Sequence, residues 1–343
     1  MPTSNRPGED DLIARWFRPL ATSPGALALV DDCAELSPPP GHDLVLKTDA
    51  VAAGVHFFVD DDWGAVARKA LRVNLSDLAA KGAAPIGYLL TLALPSDWRE
   101  DDLERFAAGL SADQAAFGVS LHGGDTIRSP DGLIVSITVF GAVPTGRMVR
   151  RAAARPGDVL YVSGTLGDAA LGLLLRTAPD RAAGWRLSSD ETGHLARRYL
   201  LPEPRLALAP AVLARAGAAM DVSDGLGLDL ARMCRGSGVA AEVDVDALPL
   251  SEAARRVLGA EPDAIEVIVG GGDDYEILAS VPAAAAAAFE VEAKEAGVAV
   301  TPIGRIVEAA AGTGAQTAAA AVPRFVRRGG GDLRPGLRGF RHF

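Results

Sequence analysis

Positive charge is in short supply in this 343-residue chain: 34 Lys and Arg stand against 44 Asp and Glu, a formal net charge of −10. Such a surface has no field to draw in nucleic acid or an anionic membrane, so neither is expected as a partner. Cysteine is rarer still, with Cys33 and Cys234 alone. Two thiols cannot build a disulfide framework, and they suit a reducing cytosol. No apolar run of about 18 residues occurs, which argues against a membrane-spanning helix. The opening stretch MPTSNRPGEDDLIARWF has no basic segment followed by an apolar one, so no signal peptide is expected. Two nucleotide signatures are also missing. There is no GxxxxGK[ST], hence no P-loop, and neither HRD nor DFG of the protein kinases.

What is present is ordinary in bulk: 49% apolar and 23% charged residues, in a chain long enough for about two domains with well-buried cores. β-rich runs at Leu44–Leu46, Tyr88–Leu94 and Leu133–Val143 alternate with helical patterns at Asp61–Lys81 and Asp101–Gly118, the latter capped by Ser96 or Asp97. Turn residues and the basic cluster Arg147, Arg150, Arg151 and Arg155 interrupt the periodicity and mark a boundary, giving domains 1–146 and 147–343. A second series follows: strands at Val159–Val162, Ala218–Val222, Val239–Val245, Tyr275–Val281 and Val298–Ile303, helices at Leu166–Leu175, Leu206–Gly217 and Leu226–Gly236, and an Ala-rich helix to Gly297. The uncharged stretch Ala309–Ala321 reads as a surface loop. Two α+β domains fit this pattern.

The informative residues are carboxylates in apolar or Gly-flanked settings: Asp31, Asp32, Asp49, Asp77, Asp125, Asp221, Asp224, Asp273 and Asp274. Asp49 follows the run LVLK and Thr48, Asp221 follows AGAAM, and Asp125 stands in a Gly-Gly-Asp-Thr turn, each where a strand is expected to end and present a ligand. Any one of them could equally cap a helix or close a turn. Asp77 is the sharpest case, because Ala70, Val73, Asn74, Asp77 and Leu78 share one helix face. A carboxylate there loses hydration unless a cation compensates it. With oxygen donors and no His/Cys pairing, the cation expected is Mg²⁺ or Mn²⁺, in company with nucleotide phosphates. Backbone N–H groups at Gly123-Gly124 and an Arg of the boundary cluster would hold the phosphates.

The runs DDCAEL (31–36), KTDAVAAGVHF (47–57), ARKALRVNLSDLAAKGAAP (67–85), GGDT (123–126), RPGDVLYVSGTLGDAALGL (155–173), MDVSDGLGLDL (220–230) and GGGDDYEIL (270–278) resemble, in order and spacing, those of the thiamine-monophosphate kinases, within the aminoimidazole ribonucleotide synthetase-like superfamily. The resemblance covers nearly the whole chain. It implies an α+β fold of two domains, the N-terminal one pairing in a homodimer and the C-terminal one closing an ATP cleft. It implies a cytoplasmic kinase that uses ATP and several Mg²⁺ ions to phosphorylate thiamine monophosphate to thiamine diphosphate.

Position by position, the resemblance makes Asp32, Lys47, Thr48, Asp49, Asp77, Asp125, Asp221 and Asp224 the metal positions. Gly124, Asp125, Arg151 and Ser223 would contact the nucleotide, and His56, Asp273 and Leu337 the thiamine phosphate. Asp49, Asp77, Asp125, Arg151 and Asp221 would carry catalysis. Four positions depart from the family pattern: Val30 stands where Gly is usual, Lys47 where Ser is common, Asp273 where Glu is usual, and Leu337 where an aromatic is expected, with Phe340 nearby. If Lys47 points inward, its ammonium could replace a cation. The competing readings are another ATP-using member of the superfamily, of selenophosphate synthetase or amidine-forming ligase type, and a nucleotide-binding scaffold without turnover.

Overall fold

A computed structural model describes residues 7–310, 322–327 and 332–333. Leu337, Phe340 and nearly all of the Ala-rich 309–321 stretch lie outside the described residues. The chain divides into two compact units, 1–78 with 84–146, and 79–83 with 147–343.

The first unit opens on a short helix, α1 (Glu9–Leu12), followed by irregular helical turns to Leu29. Its sheet has four strands: β1 (His42–Ala52), β2 (Ala84–Leu94), β3 (Ser120–Arg128) and β4 (Ile134–Pro144), in the order β1-β4-β2-β3. The first two pairings along that order are antiparallel and β2–β3 is parallel. Helix α2 (Trp63–Ala80) precedes β2, and α3 (Glu100–Phe117) makes the β2–β3 crossover. Alternate residues Val45, Val51, Leu90, Leu92, Val135, Ile137 and Val139 are buried, as are Leu71, Leu75 and Leu78 of α2 and Leu103, Phe106 and Leu110 of α3. Their counterparts on the other side of the pleat, Leu46, Leu89, Ile127 and Ile134, are exposed. One face of this sheet therefore carries the core, and the other is open. Arg72 clamps the helices together, its Nε and Nη2 donating to the two carboxylate oxygens of buried Asp113 at 2.6 and 2.9 Å.

Three expectations need correction here. Strand β1 runs well past Leu46, because its backbone pairs with β4 along its whole length, so Asp49 is inside the strand. The Gly-Gly-Asp-Thr segment is likewise no turn but the middle of β3, held by the ladder to β2; the ladder outweighs the weak strand preference of glycine. Helix α3 is capped by neither Ser96 nor Asp97: Asp102 in its first turn reaches back to accept from the Arg99 N–H at 3.0 Å.

The second unit contains a seven-stranded sheet. In chain order its elements are β5 (Val159–Ser163), α4 (Asp168–Thr177), α5 (Pro179–Ala183), α6 (Ser189–Leu200), α7 (Ala209–Arg215), β6 (Ala218–Val222), α8 (Leu226–Ser237), β7 (Val239–Asp244), α9 (Glu252–Ala260), α10 (Ile265–Gly270), β8 (Glu276–Val281), α11 (Ala286–Glu295), β9 (Val300–Glu308), β10 (Pro323–Val326) and β11 (Asp332–Leu333). The spatial order is β11-β10-β7-β9-β5-β8-β6. Strands β5, β6 and β8 are buried along almost their whole length because both faces are covered. Leu160, Val162, Met220, Val222 and Leu278 join one core cluster, while Tyr161, Ala219, Ile277, Ala279 and Val281 join another. Residues 79–83 belong to this unit: Lys81 Nζ donates to the Ala219 carbonyl at 2.8 Å, and Gly82 lies so close to Leu213 that a side chain would clash.

Candidate active site

In the first unit, Lys47 and Asp49 project from the same side of β1, two residues apart on a pleated strand. Asp77 meets them from α2. The Lys47 ammonium lies 2.8 Å from Asp77 Oδ2 and 3.1 Å from Asp49 Oδ2. Burial works to lower the Lys47 pKa, but the charges and hydrogen bonds of Asp77 and Asp49 outweigh it and hold the ammonium above the ordinary lysine range. The face around Asp77 is as apolar as its spacing suggests, with Ala70, Val73, Asn74 and Leu78 all buried. The compensating cation at this carboxylate is part of the chain. A protonated lysine donates three hydrogen bonds and offers no lone pair, so Lys47 enters the expected metal set as a counter-charge and not as a ligand. Thr48 does not join this group, because strand alternation turns it to the opposite face, where its Oγ1 donates to the Ile137 carbonyl at 3.2 Å.

A second acidic grouping surrounds edge strand β3. Glu9, Asp31, Asp32 and Asp125 line a cavity of about 270 Å³ together with Gly123, Gly124, Thr126, His122, Phe17 and Cys33. Gly124 is required here. Its backbone passes so close to the Leu90 carbonyl that any Cβ would collide with it. The glycine pair thus leaves bare backbone beside carboxylates, although Asp125 pairs across the ladder with Thr91 and so lies on the sheet side opposite to Asp49. Cys33 is exposed beside this cavity, whereas burial pushes the Cys234 thiol up to about 12. We expect a disulfide reagent to titrate one thiol per native chain, Cys33, and the second only after unfolding. Two fast-reacting thiols would refute this.

His56 sits in the loop after β1. Its Nδ1 accepts from the Ala52 N–H at 3.2 Å, which leaves the Nε2 position to carry the proton as a donor. Buried Lys69 donates to the His56 carbonyl at 2.9 Å and pins the loop. Nothing in the local pattern around Lys69 announces this role, since it reads as one more charge on a helix.

In the second unit the expected residues gather at one end of the neighbouring strands β6 and β8. Asp221 is buried in β6, opposite Ile277. Past the strand end, Asp229 of α8 accepts from the Ser223 N–H at 3.0 Å and the Asp224 N–H at 2.8 Å. Arg232 bonds both Asp224 and Asp229. The Asp273 N–H donates to the Ser223 carbonyl at 2.9 Å, and Asp273 holds a left-handed φ of 69°, a conformation uncommon for a residue with a Cβ. Asp229, which no motif singles out, therefore holds Ser223 and Asp224 together, and Asp273 is joined to them through the Ser223 carbonyl. Arg151 is exposed, and its carbonyl accepts from Ser237 Oγ.

Asp274 and Glu276 are also structural. Asp274 is fully buried and accepts from the Gly167 N–H at 2.8 Å, just before α4. Burial drives its pKa well above the carboxylate range; Gly167 and Arg198 oppose the shift, and Asp168 and Glu276 add to it. The folded chain thus keeps a proton that the unfolded chain gives up above about pH 4. The contribution of this group to stability is complete below that pH and falls as pH rises toward the folded pKa. Asp274→Asn, which cannot ionise, should lose less stability between pH 5 and pH 8 than the parent in urea unfolding. Equal slopes would refute it.

Among the described residues no three Asp, Glu, His or Cys side chains gather closely enough to hold a metal by protein ligands alone. The donors available are nonetheless hard oxygens. Mg²⁺ needs only one or two carboxylates beside waters and phosphate oxygens, so the set suits Mg²⁺ arriving with a nucleotide.

The chain is similar to known proteins along most of its length. Residues 30–143 match the model of the AIR synthase related protein N-terminal domain, and residues 155–315 that of its C-terminal domain. A thiamine-monophosphate kinase of Caulobacter vibrioides is 46% identical over 90% of this chain and 86% of its own length. The crystal structure of the thiamine-monophosphate kinase from Stenotrophomonas maltophilia K279a is 40% identical, with a TM-score of 0.77, covering 87% of this chain and 92% of that one. A structure of AaThiL complexed with AMPPCP and TMP is 30% identical, with a TM-score of 0.73, over 91% of each chain. Identity at this level along almost the full length places the chain plainly: it belongs to the thiamine-monophosphate kinase family, kinases that act on a phosphate acceptor, within the AIR synthase related proteins.

Proposed function

We propose that this chain transfers the γ-phosphoryl group of ATP directly to the phosphate of thiamine monophosphate, giving thiamine diphosphate and ADP. The observation that carries the reading is the bare Gly123-Gly124 backbone set among Asp31, Asp32 and Asp125, in a chain whose relatives over nine-tenths of its length are kinases of this acceptor. The acceptor is already an anion, so no general base is needed. Several Mg²⁺ ions, each held by one or two of Asp32, Asp49, Asp77, Asp125, Asp221 and Asp224, would supply neutralisation of phosphate charge. The chain's own part is alignment. Gly124 N–H, Ser223 and Arg151 orient the nucleotide, and His56 Nε2–H donates to the acceptor phosphate. Asp273, one methylene shorter than the usual Glu, faces the thiamine moiety.

The same reading makes the chain a cytoplasmic homodimer joined through the first unit. Leu46 and Ile127 are 65% and 49% exposed on the open face of its sheet, with Leu89 and Ile134 beside them, and an apolar sheet face of this kind is a natural surface for a second copy. Purified protein given ATP, Mg²⁺ and thiamine monophosphate should form thiamine diphosphate, read by thiochrome fluorescence after separation. ATP hydrolysis without that product would sink the acceptor assignment.

A further inference from the structure

The Lys47 ammonium lies within 3.1 Å of carboxylate oxygens on both Asp49 and Asp77. These two acids come from different elements, a strand and a helix, and both are half-buried or nearly so, with side-chain exposures of 44% and 23%. Two carboxylates brought this close to one point repel each other unless a cation stands between them. In this chain the cation is covalently attached. Lys47 and Asp49 are i and i+2 on one face of β1, so the lysine stem needs only to fold back along the strand to reach both acids. A tethered group of this kind acts at the high effective concentration that short linkage gives. A divalent ion that would bridge Asp49 and Asp77 must first displace the ammonium, which has no lone pair to offer it.

We propose that Lys47 is a built-in counter-cation: it serves the Asp49–Asp77 pair in place of one divalent ion, so that this chain takes up one fewer ion there than it would with a neutral residue at position 47. The proposal rests on the magnesium reading given above, and it assigns Lys47 a positioning role, not a catalytic one. It also gives the departure at position 47 a chemical meaning. A side chain that could only accept or weakly donate is exchanged for a permanent charge, and the ion that charge replaces is no longer needed.

The test counts ions without relying on turnover. Metal-stripped wild type, Lys47→Met, Lys47→Arg and the double variant Lys47→Met/Asp77→Asn are titrated with Mn²⁺ first without and then with ATP, and bound ion is read by electron paramagnetic resonance. Lys47→Met should take up one more Mn²⁺ per chain than wild type, or bind its tightest ion about tenfold more tightly or better. Lys47→Arg, which keeps the charge, should match wild type, and the double variant should lose the gain. In metal-free buffer Lys47→Met should also melt lower than wild type, with Mn²⁺ restoring it. Equal uptake at equal affinity by wild type and Lys47→Met would overturn the counter-cation while leaving the magnesium reading intact. No uptake by any form, with or without ATP, would overturn both.

Discussion

Glu276→Gln should cost the protein about 3–5 kcal/mol, the range seen when one partner is removed from a buried ion pair. Glu276 is fully buried at the start of β8. Its Oε1 accepts from Arg205 Nη2 at 2.5 Å and Arg198 Nη2 at 2.9 Å, and its Oε2 accepts from Ser163 Oγ at 2.6 Å. Arg198 is itself only 4% exposed. The amide would leave one buried guanidinium and a second partly buried one facing a neutral group, which is a desolvation cost with no return. Against a total of about 5–15 kcal/mol for a typical domain, that loss is large. Urea unfolding followed by circular dichroism measures it, and a change below about 1 kcal/mol would show that the arginines find solvent or another acid. Glu276 closes the GGGDDYE motif, so a change read as functional from the motif should instead lower the amount of folded protein.

Asp77→Asn should do the reverse, leaving stability nearly intact and removing turnover. The substitution keeps the side-chain volume, and Asp77 is partly solvated, so the fold loses little. The charge, however, is what a phosphoryl-transfer site uses. Loss of one preorganised electrostatic group typically slows chemistry on the order of a hundredfold to a thousandfold, and kcat for thiamine diphosphate formation is expected to fall by at least about a hundredfold. Wild-type kcat in the variant would remove Asp77 from the chemistry. Nucleotide binding without turnover in both forms would instead describe a scaffold, and the kinase reading would fail with it.

Local order along the chain was enough for the class of fold and for most of its elements. Ala218–Val222 coincides with β6, and Leu226–Gly236 ends within a residue of α8. These segments are legible because apolar period and turn residues are local properties. The acid-rich motifs were equally legible, and the resemblance they carry led to the family that the comparisons show.

Other features depended on pairing between distant segments. Asp49 and Asp125 lie inside strands because β4 and β2 supply ladders that no window around either residue contains. Whether Thr48 faces Asp77 or turns away depends on which face of β1 the core covers, and that is decided by α2 and α3. Asp229, Asp274 and Glu276 hold the second unit's candidate site residues and strands from within, through bonds to Ser223, Gly167 and Arg198 that span from 6 to 107 positions.

The aspartates could be read from composition and spacing as a site for a cation. Charge, apolar flanks and oxygen donors are written in the residues themselves. The identity of the nearest cation at Asp77 could not be read that way, because it depends on a strand and a helix meeting. Lys47 lies 30 residues before Asp77 in the chain and 2.8 Å from it in space.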